Sequence, residues 1–231
     1  MTVIQQNLQT IKVKIRKACE RCGRNPDEVR LVAVSKKMPI DSIKQAYDAG
    51  HRFFGENYLQ EAIPKITALP VDIRWHFIGH LQSKKAKDAV QHFDMIETVD
   101  RFKVARLIAK QLTELDKTMS ILIQVNASGE EQKSGVAYDE AVDLVSSLQD
   151  LENIHVAGLM TMPPFNTDPE MSRPYFRKLA DLAEKMKKKG LLGSRNQVEL
   201  SMGMSGDFEV AVEEGATLIR VGTAIFGERQ Y

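Results

Sequence analysis

The sequence predicts a single (β/α)8 TIM barrel with an extra N-terminal helix, and three observations carry that prediction. Eight short apolar runs are spread along the chain, and most are separated by amphipathic helical segments. The 231 residues suit one α/β barrel domain spanning 1–231 better than an open doubly wound sheet, which usually has fewer strands and edges to protect. The chain also begins with a helix that the strand–helix alternation does not need, and it ends too soon after the last strand for a full covering helix.

The first segment, Val3 to Arg21, places Ile4, Leu8, Ile11 and Ile15 at helical spacing, and Gly23 with Asn25-Pro26 ends it. The apolar runs follow in order: Val29–Val34, Phe53–Gly55, Trp75–Ile78, Met95–Val99, Ile121–Val125, Val156–Met160, Val198–Leu200 and Leu218–Val221. Helical segments stand out at Pro39–Ala49, Arg101–Leu115, Tyr138–Leu148, Arg173–Lys189 and Phe208–Glu214. Only Gly222 to Tyr231 follow the eighth strand, so the N-terminal helix is expected to fill the gap in the outer ring. Deleting residues 1–20 is then expected to destabilise the barrel by exposing apolar surface. Thr161 to Ser172, with three prolines, reads as a long loop at the rim where the active sites of such barrels form.

Composition narrows the function classes. Apolar residues make up 43% and charged residues 27% of the chain, with a formal net charge of +1. That balance is ordinary for a globular protein and lacks the basic excess of a nucleic-acid binder. No apolar run approaches the ~20 residues that span a bilayer, and the N-terminus lacks a secretory signal's apolar core, so the expected compartment is the cytoplasm. Cys19 and Cys22 form a C-x-x-C pair near a helix end. With no second cysteine pair for zinc and no strand before it, the pair reads as two ordinary thiols, and no metal site is expected.

Polar residues gather where the strands end. Ser35-Lys36-Lys37 follow the first strand and Gly55-Glu56-Asn57-Tyr58 the second; His76 lies in the third. Ser201 to Asp207 follow the seventh, and Arg220, Gly222 and Thr223 lie in or after the eighth. The last two loops are rich in Gly, Ser and Thr, and such loops offer backbone N–H groups and hydroxyls to an anion. Ser201, Gly203, Ser205, Gly222 and Thr223 therefore read as a phosphate cradle, against the plainer reading of ordinary turn glycines. A lysine desolvated at a barrel mouth is a nucleophile suited to a Schiff base with a carbonyl. Alternation puts Lys36 on the face of Val32 and Val34, and Lys37 on the other, but does not choose between them. Arg220 interrupts an apolar strand and needs acceptors; it suits either an unprotonated ring nitrogen or a structural ion pair. Glu56 reads as a cap for the helix that follows it. His76 and His80 are not spaced to share a metal.

These residues lie in segments that resemble the pyridoxal phosphate homeostasis (YggS/PROSC) family, itself similar to the barrel domain of alanine racemase. The segments are Ala33-Val34-Ser35-Lys36, Phe54-Gly55-Glu56-Asn57-Tyr58, Trp75-His76-Phe77-Ile78-Gly79, Gly158-Leu159-Met160, Leu200-Ser201-Met202-Gly203-Met204-Ser205 and Arg220 to Gly227. They occur in order over nearly the whole chain; the departure is Ser83-Lys84-Lys85, where many relatives have Asn-Lys. The resemblance implies pyridoxal 5′-phosphate as cofactor, with Lys36 as its Schiff-base residue. It implies Ser201, Gly222 and Thr223 at the phosphate with Ser205 nearby, Arg220 at the pyridine nitrogen, and Asn57, His76 and Met202 lining the cofactor. It further implies a non-catalytic role in cofactor storage, buffering and delivery, with pyridoxal-dependent apo-enzymes as recipients. An arginine at the ring nitrogen weakens the cofactor's electron sink, and no second base stands out beyond a weak case for Tyr58. A small amino-acid racemase is the alternative, and a Schiff-base aldolase on phosphosugars a third reading. Nothing marks a large apolar face, so a monomer is expected.

Overall fold

Each apolar run coincides with a parallel strand. The computed structural model describes residues 1–130, 132–193 and 197–228. The strands are β1 (Arg30–Val34), β2 (Phe53–Glu56), β3 (Arg74–Phe77), β4 (Met95–Val99), β5 (Met119–Asn126), β6 (Val136–Ala137), β7 (Ile154–Met160), β8 (Glu199–Ser201) and β9 (Leu218–Val221). They are hydrogen-bonded in the order β4-β3-β2-β1-β9-β8-β7-β5, and β4 pairs with β5 to close the ring. Eight strands thus form a closed barrel, and the two-residue β6 is an addition beside the end of β5.

The helices are α1 (Val3–Cys22), α2 (Ile40–Asp48), α3 (Leu59–Ala68), α4 (Ala86–His92), α5 (Phe102–Glu114), α6 (Ala141–Ser147), α7 (Arg173–Lys188), α8 (Phe208–Glu213) and α9 (Thr223–Phe226). Two of them were not bounded in the sequence: α3, expected only as a helix following Glu56, and α4. Pro64 lies inside α3, where proline normally signals a helix end. α4 is only seven residues long and follows the polar run Ser83–Lys85, which forms a 3₁₀ turn.

α1 takes the place expected of it. Thr2 and Gln5 close its first turn with a reciprocal capping box, and Gly23, in the left-handed region at φ 70°, ends it. Ile4, Leu8, Ile11 and Ile15 are buried, and the helix packs on α2, α8 and α9. Asn7 donates to the Ile225 carbonyl at 2.9 Å, and Arg21 pairs with Glu209 and Glu213 of α8. The four-residue α9 leaves the gap in the outer ring that α1 covers.

The core has two parts because strand side chains alternate. Leu31, Ala33, Phe54, Trp75, Phe77, Ile96, Ile219 and Val221 face outward into the apolar layer shared with the helices. Val32, Met95, Leu122, Ala157, Met160 and Leu218 form a separate cluster inside the barrel. No helix among the described residues is long and apolar enough to cross a membrane.

Candidate functional site

The inward parity of each strand delivers specific side chains to the end of the barrel. On β1, Val32 is inside the barrel, Val34 lines a cavity at the rim, and Lys36 follows with the same parity. Ser35 to Met38 form a turn closed by the Met38 N–H on the Ser35 carbonyl at 3.0 Å. Lys37, at φ 60°, points away and is exposed, whereas Lys36 is half-buried in the cavity wall. The structure thus separates the two lysines that alternation left open.

The cavity measures about 250 Å³. Its lining joins Lys36 and Asn57 on one side to Met204, Ser205, Gly206, Asp207, Gly222 and Thr223 on the other, with Arg220 between them. Met162, Pro164, Phe165 and Asn166 of the long loop after β7 complete the wall. The Thr223 hydroxyl donates to the Ser205 hydroxyl at 3.1 Å, and the Ala224 N–H reaches the same oxygen at 3.5 Å. Two glycines make the local backbone possible. Gly203 sits at φ 90°, and a Cβ there would lie 2.5 Å from the Ala211 Cβ. Gly79 lies so close to Asn57 that a Cβ would fall 2.1 Å from the Asn57 carbonyl oxygen.

Beneath the cavity lies a buried polar network. Glu97, wholly buried on β4, accepts a hydrogen bond from His76 Nδ1 at 2.6 Å and another from the Ser201 hydroxyl. Because an ionised carboxylate only accepts, His76 carries its hydrogen on Nδ1. Arg220 Nη1 donates to Ser201 Oγ and stands 3.8 Å from Glu97; its Nη2 donates to the Thr161 carbonyl at 2.9 Å. Burial pushes the Glu97 carboxyl up, but the bond and charge of His76, the charge of Arg220 and the Ser201 hydroxyl outweigh it. The group is held below its usual range. Burial lowers the Arg220 pKa, opposed by the charges of Glu97 and Asp207.

A second buried cluster flanks the Lys36 turn. Glu56, wholly buried, accepts from Ser35 Oγ at 2.7 Å and from Lys65 Nζ at 2.8 Å. Glu56 therefore does not cap α3, whose first turn has no side-chain cap. A carboxylate at the end of an inner strand, with a lysine from the covering helix in reach, is drawn to that lysine instead.

Of the residues singled out in the sequence, Lys36, Asn57, Ser205, Arg220, Gly222 and Thr223 line one cavity. His76 and Ser201 lie a layer below, bonded to Glu97. Met202 is fully buried in the layer between barrel and helices, so its side chain does not line the cavity. Alternation after Ser201 turns the Met202 side chain outward. Tyr58 is half-exposed in a neighbouring hollow with His80 and Lys85. Cys19 is buried and Cys22 exposed, both free thiols, and no cluster of metal-binding side chains occurs among the described residues. Sequence reasoning passed over Glu97, Glu61, Lys65 and Asp207. Glu97 carried the signal used for Arg220, a charge inside an apolar strand.

The family model described as alanine racemase, N-terminal domain, matches residues 6–230. A pyridoxal phosphate homeostasis protein of Vibrio alginolyticus is 43% identical over 237 residues, covering 100% of both chains. One from Aquifex aeolicus is 41% identical, covering 98% of both. The solved structure of PipY from Synechococcus elongatus PCC7942 with PLP bound is 35% identical, with a TM-score of 0.83 over 97% of this chain and 100% of that one.

Proposed function

This chain belongs to the family of the pyridoxal phosphate homeostasis proteins, and from that premise we propose that it binds pyridoxal 5′-phosphate and takes part in its homeostasis. The observation that carries the reading is one cavity lined both by a half-buried lysine, Lys36, and by the mutually bonded hydroxyls of Ser205 and Thr223. The lining fits the cofactor's chemistry. Asn57 Oδ1 is a buried acceptor with no donor among the described residues, so a ligand hydroxyl would satisfy it. Gly206 has open space where a Cβ would sit, and Gly222 lines the same cavity beside the two hydroxyls.

Bound there, the cofactor supplies an aldehyde that a neutral amine can capture and a ring that can hold electrons. Lys36 is the amine in reach of the cavity, and a Schiff base at Lys36 is part of the proposal. Ser205, Gly222 and Thr223 hold the phosphate. Arg220, fixed from below by Ser201, Thr161 and Glu97, presents a donor-only guanidinium toward the ring side of the cavity. Such a group favours an unprotonated ring nitrogen and so restrains carbanion chemistry.

The same lining favours a carrier over an enzyme. Among the described residues its ionisable side chains are Lys36, Asp207 and Arg220, and Asp207 already accepts the Met204 N–H at 2.7 Å. We therefore propose storage and delivery to pyridoxal-dependent apo-enzymes, by a monomer acting in the cytoplasm, without turnover. Asp207 is the one specific observation for the racemase alternative. Deuterium entry at Cα of L-alanine in deuterated water, beyond the free-cofactor control, would favour that alternative.

The binding reading is tested by the visible absorption spectrum of the protein with added cofactor. Wild type and Lys37→Ala are expected to be yellow, and Lys36→Ala to lose the band. A wild-type protein that stays colourless refutes the assignment and moves a phosphosugar barrel to the front.

A further inference from the structure

Helix α3 reaches under the Lys36 turn with two charged side chains one helical turn apart, Glu61 and Lys65. Lys65 is 6% exposed. Its ammonium donates to the Ser35 carbonyl at 2.8 Å, to Glu56 Oε1 at 2.8 Å and to Glu61 Oε1 at 2.6 Å. Glu61 Oε1 also accepts the backbone N–H of Lys37. The Ser35 carbonyl belongs to the peptide before Lys36, and the Lys37 N–H to the peptide after it. Both peptide groups that set the direction of the Lys36 side chain are therefore tied to one ion cluster, in which the Lys65 ammonium is buried and Glu61 is partly exposed.

Two costs show that this arrangement does more than fill space. Burying an ammonium is unfavourable unless every proton finds an acceptor, and an apolar residue of similar size often packs as well or better. Lys37 sits in the left-handed region, at φ 60°, where a residue with a Cβ is disfavoured. At that position of the turn glycine or asparagine is the usual choice. A turn under this strain holds one conformation only if something outside it does the holding. Glu61, on helix α3, bonds the Lys37 peptide directly.

We propose that Glu61 and Lys65 are positioning residues for Lys36, a clamp that fixes the approach of its amine to the cofactor's aldehyde. The inference rests on the reading of Lys36 above. In the loading step the Lys36 amine adds to the aldehyde carbon and one water is released. The clamp acts on the orientation of that attack and leaves the phosphate and ring contacts untouched.

Pyridoxine 5′-phosphate separates the two contributions, because it carries the phosphate and ring with an alcohol in place of the aldehyde. Its affinity for the full-length protein reports the cavity; the rate of growth of the visible band with pyridoxal 5′-phosphate reports the amine. Glu61→Ala is expected to bind pyridoxine 5′-phosphate like wild type and to load the aldehyde at least ~10-fold more slowly, since small misplacements of reacting groups cost rate steeply. The isosteric Glu61→Gln, which keeps one acceptor oxygen, is expected to fall between the two, and it serves if Glu61→Ala does not fold. Loading at the wild-type rate in whichever variant folds overturns the clamp. So does an equal loss of loading rate and pyridoxine 5′-phosphate affinity, which would make Glu61 a general support of the cavity. A wild-type protein that binds pyridoxine 5′-phosphate and never colours overturns the Lys36 assignment itself, and the clamp with it.

Discussion

Two buried glutamates, Glu97 and Glu56, occupy similar places and behave in opposite ways. Each lies near the end of a barrel strand, wholly buried, with a serine hydroxyl donating to it and a basic side chain close by. Burial pushes both carboxyls up. At Glu97 the bond and charge of His76, the charge of Arg220 and the Ser201 hydroxyl reverse that push. At Glu56 the charge and bond of Lys65 and the Ser35 bond do not, and Glu61 adds a like charge. The difference lies in how the donors are distributed. Glu97 has one donor on each oxygen. Glu56 receives both of its donors on Oε1, and its Oε2 is buried with no partner among the described residues. The teaching is that burial alone does not set the charge of a carboxylate; the donors and the charges that face it do, two basic groups at Glu97 against one base and a like charge at Glu56.

The largest expected effect comes from removing the cation on each side. Arg220→Leu strands the Glu97 charge beneath the cavity and is expected to cost about 3–5 kcal/mol, the usual range for breaking a buried pair. Lys65→Met is expected to cost less, about 2 kcal/mol, because Glu56 is already inclined to take a proton and can escape as a neutral acid. Urea unfolding of both variants at neutral pH measures the gap. Equal losses would break the contrast between the two carboxyls.

The contrast also marks what could be read from the sequence. The eight apolar runs and the amphipathic segments gave the barrel, and the spare N-terminal helix found its place between α2, α8 and α9. Those features follow from periodicity, which is local. Loop composition pointed to Ser205, Gly222 and Thr223 for the same reason, whereas parity left Lys36 and Lys37 open and the resemblance chose Lys36. What periodicity could not supply is pairing between distant segments. Glu97 meets Ser201 across 104 positions, and Lys65 meets the Ser35 carbonyl across 30. Glu56 looked like a helix cap because its next neighbours in sequence begin a helix, while its actual partner approaches from the following turns of that helix.

The pH dependence of the two glutamine variants sharpens the comparison further. The ordinary value is 4.5 for both groups. Glu97 is depressed in the folded state, so its contribution is present above 4.5 and is lost as pH falls through the lower folded pKa. The stability gap between wild type and Glu97→Gln should therefore be widest near neutrality and narrow on acidification below 4.5. Glu56 is raised, so its contribution is present below 4.5 and is lost as pH rises through the higher folded pKa. The gap between wild type and Glu56→Gln should be largest in acid and shift in favour of the variant as pH rises. Denaturant midpoints across this range test the signs; gaps that slope the same way would show that the two carboxyls are not opposites.

The smallest expected effect separates the two serines. Ser201 both donates and accepts: its hydroxyl gives its proton to Glu97 Oε2 and takes one from Arg220 Nη1. Ser35 only donates, and Glu56 Oε1 keeps Lys65 when that donor goes. Ser201→Ala leaves two buried charged groups short of a partner and is expected to cost about 2–3 kcal/mol, against about 1 kcal/mol for Ser35→Ala. Because Ser201 also steadies the guanidinium under the cavity floor, Ser201→Ala should weaken pyridoxine 5′-phosphate binding, whereas Ser35→Ala should leave it near wild type. Calorimetric titration beside thermal unfolding resolves both readouts. A Ser35→Ala protein as unstable as Ser201→Ala would mean that the hydroxyl beside Glu56 carries more of that cluster than its single bond implies, and would move the weight of the cluster from Lys65 to Ser35.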